Sequence, residues 1–249
     1  MEYENEFNID NYGVLELNKR TLTFREIVGL QDYLNEKTLE NWKFLLSEDH
    51  FKTQAMFELC ELVDSGVRYK WWKDSKDLDW YNIKLEAIDI IHFLVSAKII
   101  SNLNDNAPPL DKDYISMLDK FLPYDHIRCI EQSISFVNYD NTLDFHNFIK
   151  LQRKLLDGDY MRVFCSVICC AKLTSEEISA YYIAKNELNR FRQMNGYADG
   201  SYTRYRKGLT DNEVMENSIT DFLNNNRLKL CDLKLNVVES LEEWIGEGD

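Results

Sequence analysis

Glycine and proline are scarce: the chain has 9 Gly and 3 Pro in 249 residues. An all-β protein with many tight turns needs more of both, so a mostly helical fold is the better reading. No apolar run reaches the ~18 residues of a membrane span, and the polar, acidic start MEYENEFNIDNYG has neither a signal peptide's nor a transit peptide's pattern. The six cysteines form no CxxC pair, and His126 with Cys129 has no second half to complete a zinc site. Cys165, Cys169 and Cys170 fall in the apolar stretch MRVFCSVICCAKL and read as small core residues of a reducing, cytoplasmic protein. Positive charge is in short supply too. The formal net charge is −14 and the pI near 4.8, which argues against non-specific binding to nucleic acid or to an anionic membrane.

What is present is a core. Apolar residues make up 45% of the chain, too many for disorder. Helical spacing is expected over 23–38, 50–66, 85–100, 161–173, 175–193 and near 231–245, with helical stretches of open limits in 112–156. Arg68–Asn82 reads as a loop dense in aromatics and charge. The prolines of NLNDNAPPLDKD break the helix before them, and NGYADGSYTRYRKG is a loop. With no repeat and no low-complexity linker, one all-α domain spanning 1–249 is the simplest organisation.

Two helices carry unusual acids. LEAIDIIHFLVSAKII is apolar on nearly every side, yet Glu86, Asp89 and His92 share one face at i, i+3, i+6. The helix before it repeats the pattern with Glu58 and Glu61. Four converging carboxylates repel and are desolvated, which is tolerable if divalent cations neutralise them. Oxygen-only ligands favour magnesium or manganese. The alternative is two acidic pairs on solvated faces. A di-iron site is disfavoured: Asp89-x-x-His92 is one acid-x-x-His turn, and none of His50, His126 or His146 supplies a second.

A basic island stands in this acidic chain. From Lys185 to Lys207 six basic residues face two acids. Lys185, Asn189 and Arg192 form one helical stripe, and Gly196, Gly200 and Gly208 lie in the loop beyond. Glycines let backbone approach an anion while Lys and Arg supply charge-assisted hydrogen bonds. An acidic cluster and a basic loop together suit a polyphosphate substrate.

These residues resemble a known family. Glu58-Leu59-Cys60-Glu61 and Glu86-Ala87-Ile88-Asp89, the loop Lys70-Trp71-Trp72-Lys73 between them, Leu30-Gln31-Asp32-Tyr33-Leu34-Asn35, and Lys185-Asn186-Glu187-Leu188-Asn189-Arg190-Phe191-Arg192-Gln193 with Gly196-Tyr197, Asp199-Gly200 and Asp211-Asn212 are similar to the signatures of the dimeric dUTPases, in the all-α NTP pyrophosphatase superfamily. The similarity covers roughly 23–100 and 180–215, leaving 101–175 as an unmatched helical insert or cap. It implies an all-α helical bundle, homodimeric, that hydrolyses dUTP and dUDP to dUMP by attack of water on the β-phosphorus. It implies two or more Mg2+ ions, with Mn2+ as a substitute, on Glu58, Glu61, Glu86 and Asp89, and a catalytic role for Glu61 and Glu58, with Glu61 activating the water. Lys185, Asn189, Arg192, Tyr197, Arg204 and Asn212 would grip phosphate, and Gln31, Asn35 and Trp72 would hold the uracil. The chain departs from the family pattern at Arg68-Tyr69 and in Thr203-Arg204-Tyr205-Arg206-Lys207, so dCTP stays open as a substrate. A helical interaction protein without catalysis is the reading from another class.

Overall fold

The computed structural model describes residues 7–9, 13–15, 17–70, 78–104 and 130–246, with side chains from residue 17 onward except at 104. Trp72 and the expected break at Pro108 and Pro109 lie outside the described residues. The fold is all-α, as the composition implies. Contacts divide it into two compact units, one of residues 1–40 with 175–249 and one of residues 41–174.

In the unit of residues 41–174, a short helix α2 (Trp42–Leu45) precedes α3 (Glu48–Gly66) and α4 (Trp80–Asn104). α3 starts where the Ser47 hydroxyl accepts from His50 N at 3.2 Å, an N-cap that satisfies one orphan donor. Its buried face is Phe51, Ala55, Leu59, Leu62, Val63 and Gly66, the three-and-four spacing of a helix packed on one side. α4 is buried almost all round, from Ile83 to Asn102, and packs along α3 and α6 (Tyr160–Ala171). α5 (Phe145–Leu156) lies against α3 and α6.

α4 begins at Trp80, so Trp80, Tyr81 and Asn82 are helical where a loop was expected. The reason is local: Asp79 Oδ1 accepts from Asn82 N at 3.1 Å, which starts the helix despite the aromatic residues. Gly66, in the last turn of α3, approaches the first turn of α4 so closely that a Cβ would lie 2.9 Å from Ile83 Cγ1. In α6, Cys165 is buried, while Cys169 and Cys170 are half-buried.

In the other unit, strands β1 (Phe7–Ile9) and β2 (Gly13–Leu15) pair antiparallel with Asn8 opposite Val14. α1 (Phe24–Thr38) opens on a capping box: Glu26 N donates to Thr23 Oγ1 at 3.3 Å and Thr23 N to Glu26 Oε2 at 2.7 Å. α7 (Ser175–Met194) runs through the core of this unit, packed on α1, α8 (Asp211–Asn224) and α9 (Leu230–Gly246). α8 was not expected from periodicity. Its signal was the capping box Thr210-x-x-Glu213, which the structure forms, with Glu213 N donating to Thr210 Oγ1 at 3.2 Å. Before it, β3 (Tyr205–Arg206) and β4 (Leu209–Thr210) make a two-residue hairpin inside the expected loop. Lys207 (φ 52°) and Gly208 (φ 81°) give it the left-handed backbone of a type I′ turn, whose twist matches the strands.

Candidate functional site

The acids converge. One oxygen from each of Glu58, Glu86 and Asp89 lies within 4.8 Å of the others, and all three side chains are half-buried. α3 supplies the first and α4 the other two, and the close approach at Gly66 keeps these helices near one another. Three carboxylates at this spacing repel in proportion to their desolvation. Hard oxygen donors with no nitrogen or sulfur among them are a ligand set for a divalent cation such as Mg2+ or Mn2+. Glu61, one turn along α3 from Glu58, is exposed and stands outside the group. His92 is buried and is not a member of it either.

The unit of residues 1–40 and 175–249 holds the amides and the basic residues. Gln31 is buried. Its Oε1 accepts from the Tyr182 hydroxyl at 2.7 Å, and its Nε2 donates to Asn35 Oδ1 at 2.9 Å. Complete burial pushes the Tyr182 phenol well above its usual range, so it stays a donor. The Gln31 amide thus sets its oxygen toward the Tyr182 hydroxyl and its nitrogen toward Asn35. Tyr182 was missed by sequence reasoning, because nothing local connects it to a residue 151 positions earlier.

Arg192 is the hub of a second network. Its Nε donates to Asp211 Oδ2 at 2.8 Å and its Nη2 to Asp211 Oδ1 at 2.9 Å, a buried bidentate pair. Longer bonds run to Asn212 Oδ1 at 3.2 Å and Asn189 Oδ1 at 3.4 Å. The Tyr202 hydroxyl donates to Asp211 Oδ2 at 3.0 Å. Burial, and then the Asp211 charge, raise the Tyr202 phenol, so it too remains a donor. Three of the expected phosphate residues, Asn189, Arg192 and Asn212, are thus joined through the Arg192 guanidinium, which Asp211, a residue with no assigned role in the sequence reading, holds in place. Lys185 is buried on α7. Tyr197 and Arg204 are exposed, with the Arg204 guanidinium bonded to the Tyr197 hydroxyl and 5.1 Å over its ring.

The family model for dUTPase matches residues 23–197 of the chain. The chain belongs to the dUTPase family. This is the dimeric, all-α branch of dUTPases, and the chain is accordingly a dUTP diphosphatase, a hydrolase that acts on dUTP. dUTPases generally use a divalent metal, and the cluster of Glu58, Glu86 and Asp89 has the donors for one. The match takes in all four acids, Gln31, Asn35, Lys185, Asn189 and Arg192, and ends at Tyr197; Arg204 and Asn212 lie beyond it. No curated protein matches the chain. Among the described residues, no helix is long and apolar enough to cross a membrane.

Proposed function

We propose that this dUTPase hydrolyses both dUTP and dUDP to dUMP with magnesium, held by Glu58, Glu86 and Asp89 with Glu61 beside them. The observation that carries this reading is the convergence of three carboxylates from two helices, one of which is otherwise built of core residues. The cation would supply charge neutralisation at the phosphate oxygens and a lowered pKa for water. Glu61, outside the three-acid group, takes the proton of the attacking water as general base. The water oxygen bonds to the β-phosphorus, and the bond from that phosphorus to the bridging oxygen of the α-phosphate breaks. dUMP leaves with the bridging oxygen, and the remainder is pyrophosphate from dUTP or phosphate from dUDP.

Lys185, Asn189, Arg192, Tyr197, Arg204 and Asn212 hold the phosphates. The Arg192–Asp211 pair supports this by placing Asn189 and Asn212 on one guanidinium. Asn35 and Gln31 read the uracil edge. An amide can donate to O4 or O2 and accept from N3–H, and the bond from Tyr182 supports one fixed orientation of the pair. The chain acts as a homodimer, with a mass near twice its 29.5 kDa in light scattering. A monomer mass contradicts that.

Product analysis by ion-exchange chromatography tests the reaction. With magnesium, dUTP and dUDP are each converted to dUMP, and EDTA stops both. Rapid loss of dCTP would keep the chemistry and widen the substrate range. Failure to act on dUDP would contradict attack at the β-phosphorus.

A further inference from the structure

Arg206 stands apart from the other cations of its loop. It is half-buried in the β3–β4 hairpin, and its Nε is shut off from solvent with no hydrogen-bond partner among the described residues. A guanidinium has five donors and is charged at any working pH, so covering it without an anion leaves its hydrogen bonding incomplete. What covers it is Trp244 of α9. The indole Nε1 donates to the Arg206 carbonyl at 3.3 Å, and the Arg206 Cζ lies 6.0 Å from the ring. The same indole packs on Tyr202, with ring centroids 6.3 Å apart, and Tyr202 reaches the Arg192–Asp211 network. Arg204 immediately precedes the strand, its carbonyl accepting from Asp211 N at 3.0 Å, so the backbone beside Arg206 is tied to the residue that pairs with Arg192.

We propose that Arg206 is a phosphate-binding residue of this dUTPase, specific for the pyrophosphate portion of the nucleotide, and that Trp244 is its positioning residue. This rests on the reading that the loop of Tyr197, Arg204 and Asn212 grips phosphate. The planar guanidinium offers its two Nη atoms to a phosphate oxygen pair, the bidentate geometry that lysine cannot reproduce. Trp244 holds the backbone of Arg206 through one hydrogen bond and the cation through its ring face. Both residues lie beyond the family-matched segment, and they are 38 positions apart in the chain.

The test uses the full chain and inorganic pyrophosphate with EDTA present, so that the acidic cluster does not recruit the anion through metal. Calorimetric titration compares wild type with Arg206→Gln, Arg206→Lys, Trp244→Phe and Asn212→Ala, each checked for unchanged circular dichroism. Arg206→Gln weakens binding by roughly tenfold or more, the scale of a charge-assisted hydrogen bond, and Arg206→Lys restores part of it. Trp244→Phe keeps the ring and removes the N–H, so it weakens binding by a few-fold, and KM for dUTP rises while kcat holds, the split expected for lost ground-state binding. If Asn212→Ala weakens binding and Arg206→Gln does not, the loop reading stands and the assignment of Arg206 is overturned. If neither variant weakens binding, the loop reading falls and the assignment with it. Wild-type KM in Trp244→Phe overturns the positioning role.

Discussion

The two units treat buried charge in opposite ways. In residues 41–174, Glu58, Glu86 and Asp89 put like charges within 4.8 Å of one another. In the other unit, buried charges meet their opposites: Arg192 pairs with Asp211, and Glu187 on α7 lies 3.3 Å from Arg190 and 4.0 Å from Lys234 of α9. A network of opposite charges is balanced within itself and holds a shape. A cluster of like charges carries mutual repulsion, which a bound cation would relieve. The first kind of site costs stability when broken, whereas the second costs function and can return stability.

The largest effect is expected at the acids. Glu86→Gln or Asp89→Asn lowers kcat/KM for dUTP by at least ~100-fold, since metal stabilisation of a phosphoryl transition state is worth several kcal/mol. The same variants melt no lower than wild type in EDTA, because a repulsion has been relieved. A large loss of melting temperature in EDTA would assign these acids to structure instead. Glu61→Gln, removing the proposed base without entering the three-acid group, abolishes turnover while nucleotide binding stays near wild type.

Asp211→Ala gives the opposite signature. Removing one partner of a buried ion pair leaves Arg192 uncompensated and costs about 3–5 kcal/mol, seen as a drop in denaturation midpoint. An unchanged midpoint would mean that the pair contributes no more than a surface ion pair. If the proposed phosphate role holds, phosphate binding weakens as well, since Arg192, to which Asn189 and Asn212 are bonded, loses the carboxylate that positions it.

Tyr182→Phe sharpens the comparison at the amide pair. It removes the donor that fixes Gln31 and costs about 1 kcal/mol of stability. The discrimination between dUTP and dCTP falls several-fold, measured as the ratio of kcat/KM values, because the amides are then able to present either end. An unchanged ratio would place base selection elsewhere.

The smallest effect is a pH dependence. Burial raises the Glu187 carboxyl against the opposing pull of Arg190 and Lys234. Between the unfolded and the folded pKa the native state holds the extra proton, so stability declines as pH rises from about 4.5 through that window. Lys234 is lowered by burial, against the pull of Glu187, and its contribution has the other sign, rising as pH climbs from its folded pKa toward 10.5. Glu187→Gln flattens the melting temperature in the acidic window only. A slope that survives this change belongs to another group.

The sequence made the acids legible because carboxylates have little reason to sit in a helix as apolar as α4. The paired spacing of Glu58 with Glu61 and of Glu86 with Asp89 needed only helical periodicity to read; that three of the four converge and Glu61 stands outside did not follow from it. α8 was missed because its buried apolar positions, Val214, Met215, Ile219 and Phe222, follow a loop full of glycine and tyrosine, though the Thr210–Glu213 cap marks its start. Tyr182, Asp211 and Trp244 act through partners far along the chain or through side chains already given another reading. The pairing of Arg192 with Asp211 is a contact that no sequence pattern announced. Which side chain faces which is a property of packing, and periodicity does not carry it.

The most direct test of the account is calorimetric titration of magnesium into the wild-type chain and into the Glu86→Gln/Asp89→Asn double variant, with dUTP turnover followed in the same samples. Wild type binds magnesium and hydrolyses dUTP only when magnesium is present, and the double variant does neither while remaining folded. Hydrolysis of dUTP by the double variant at the wild-type rate would contradict the claim that these acids hold the catalytic metal.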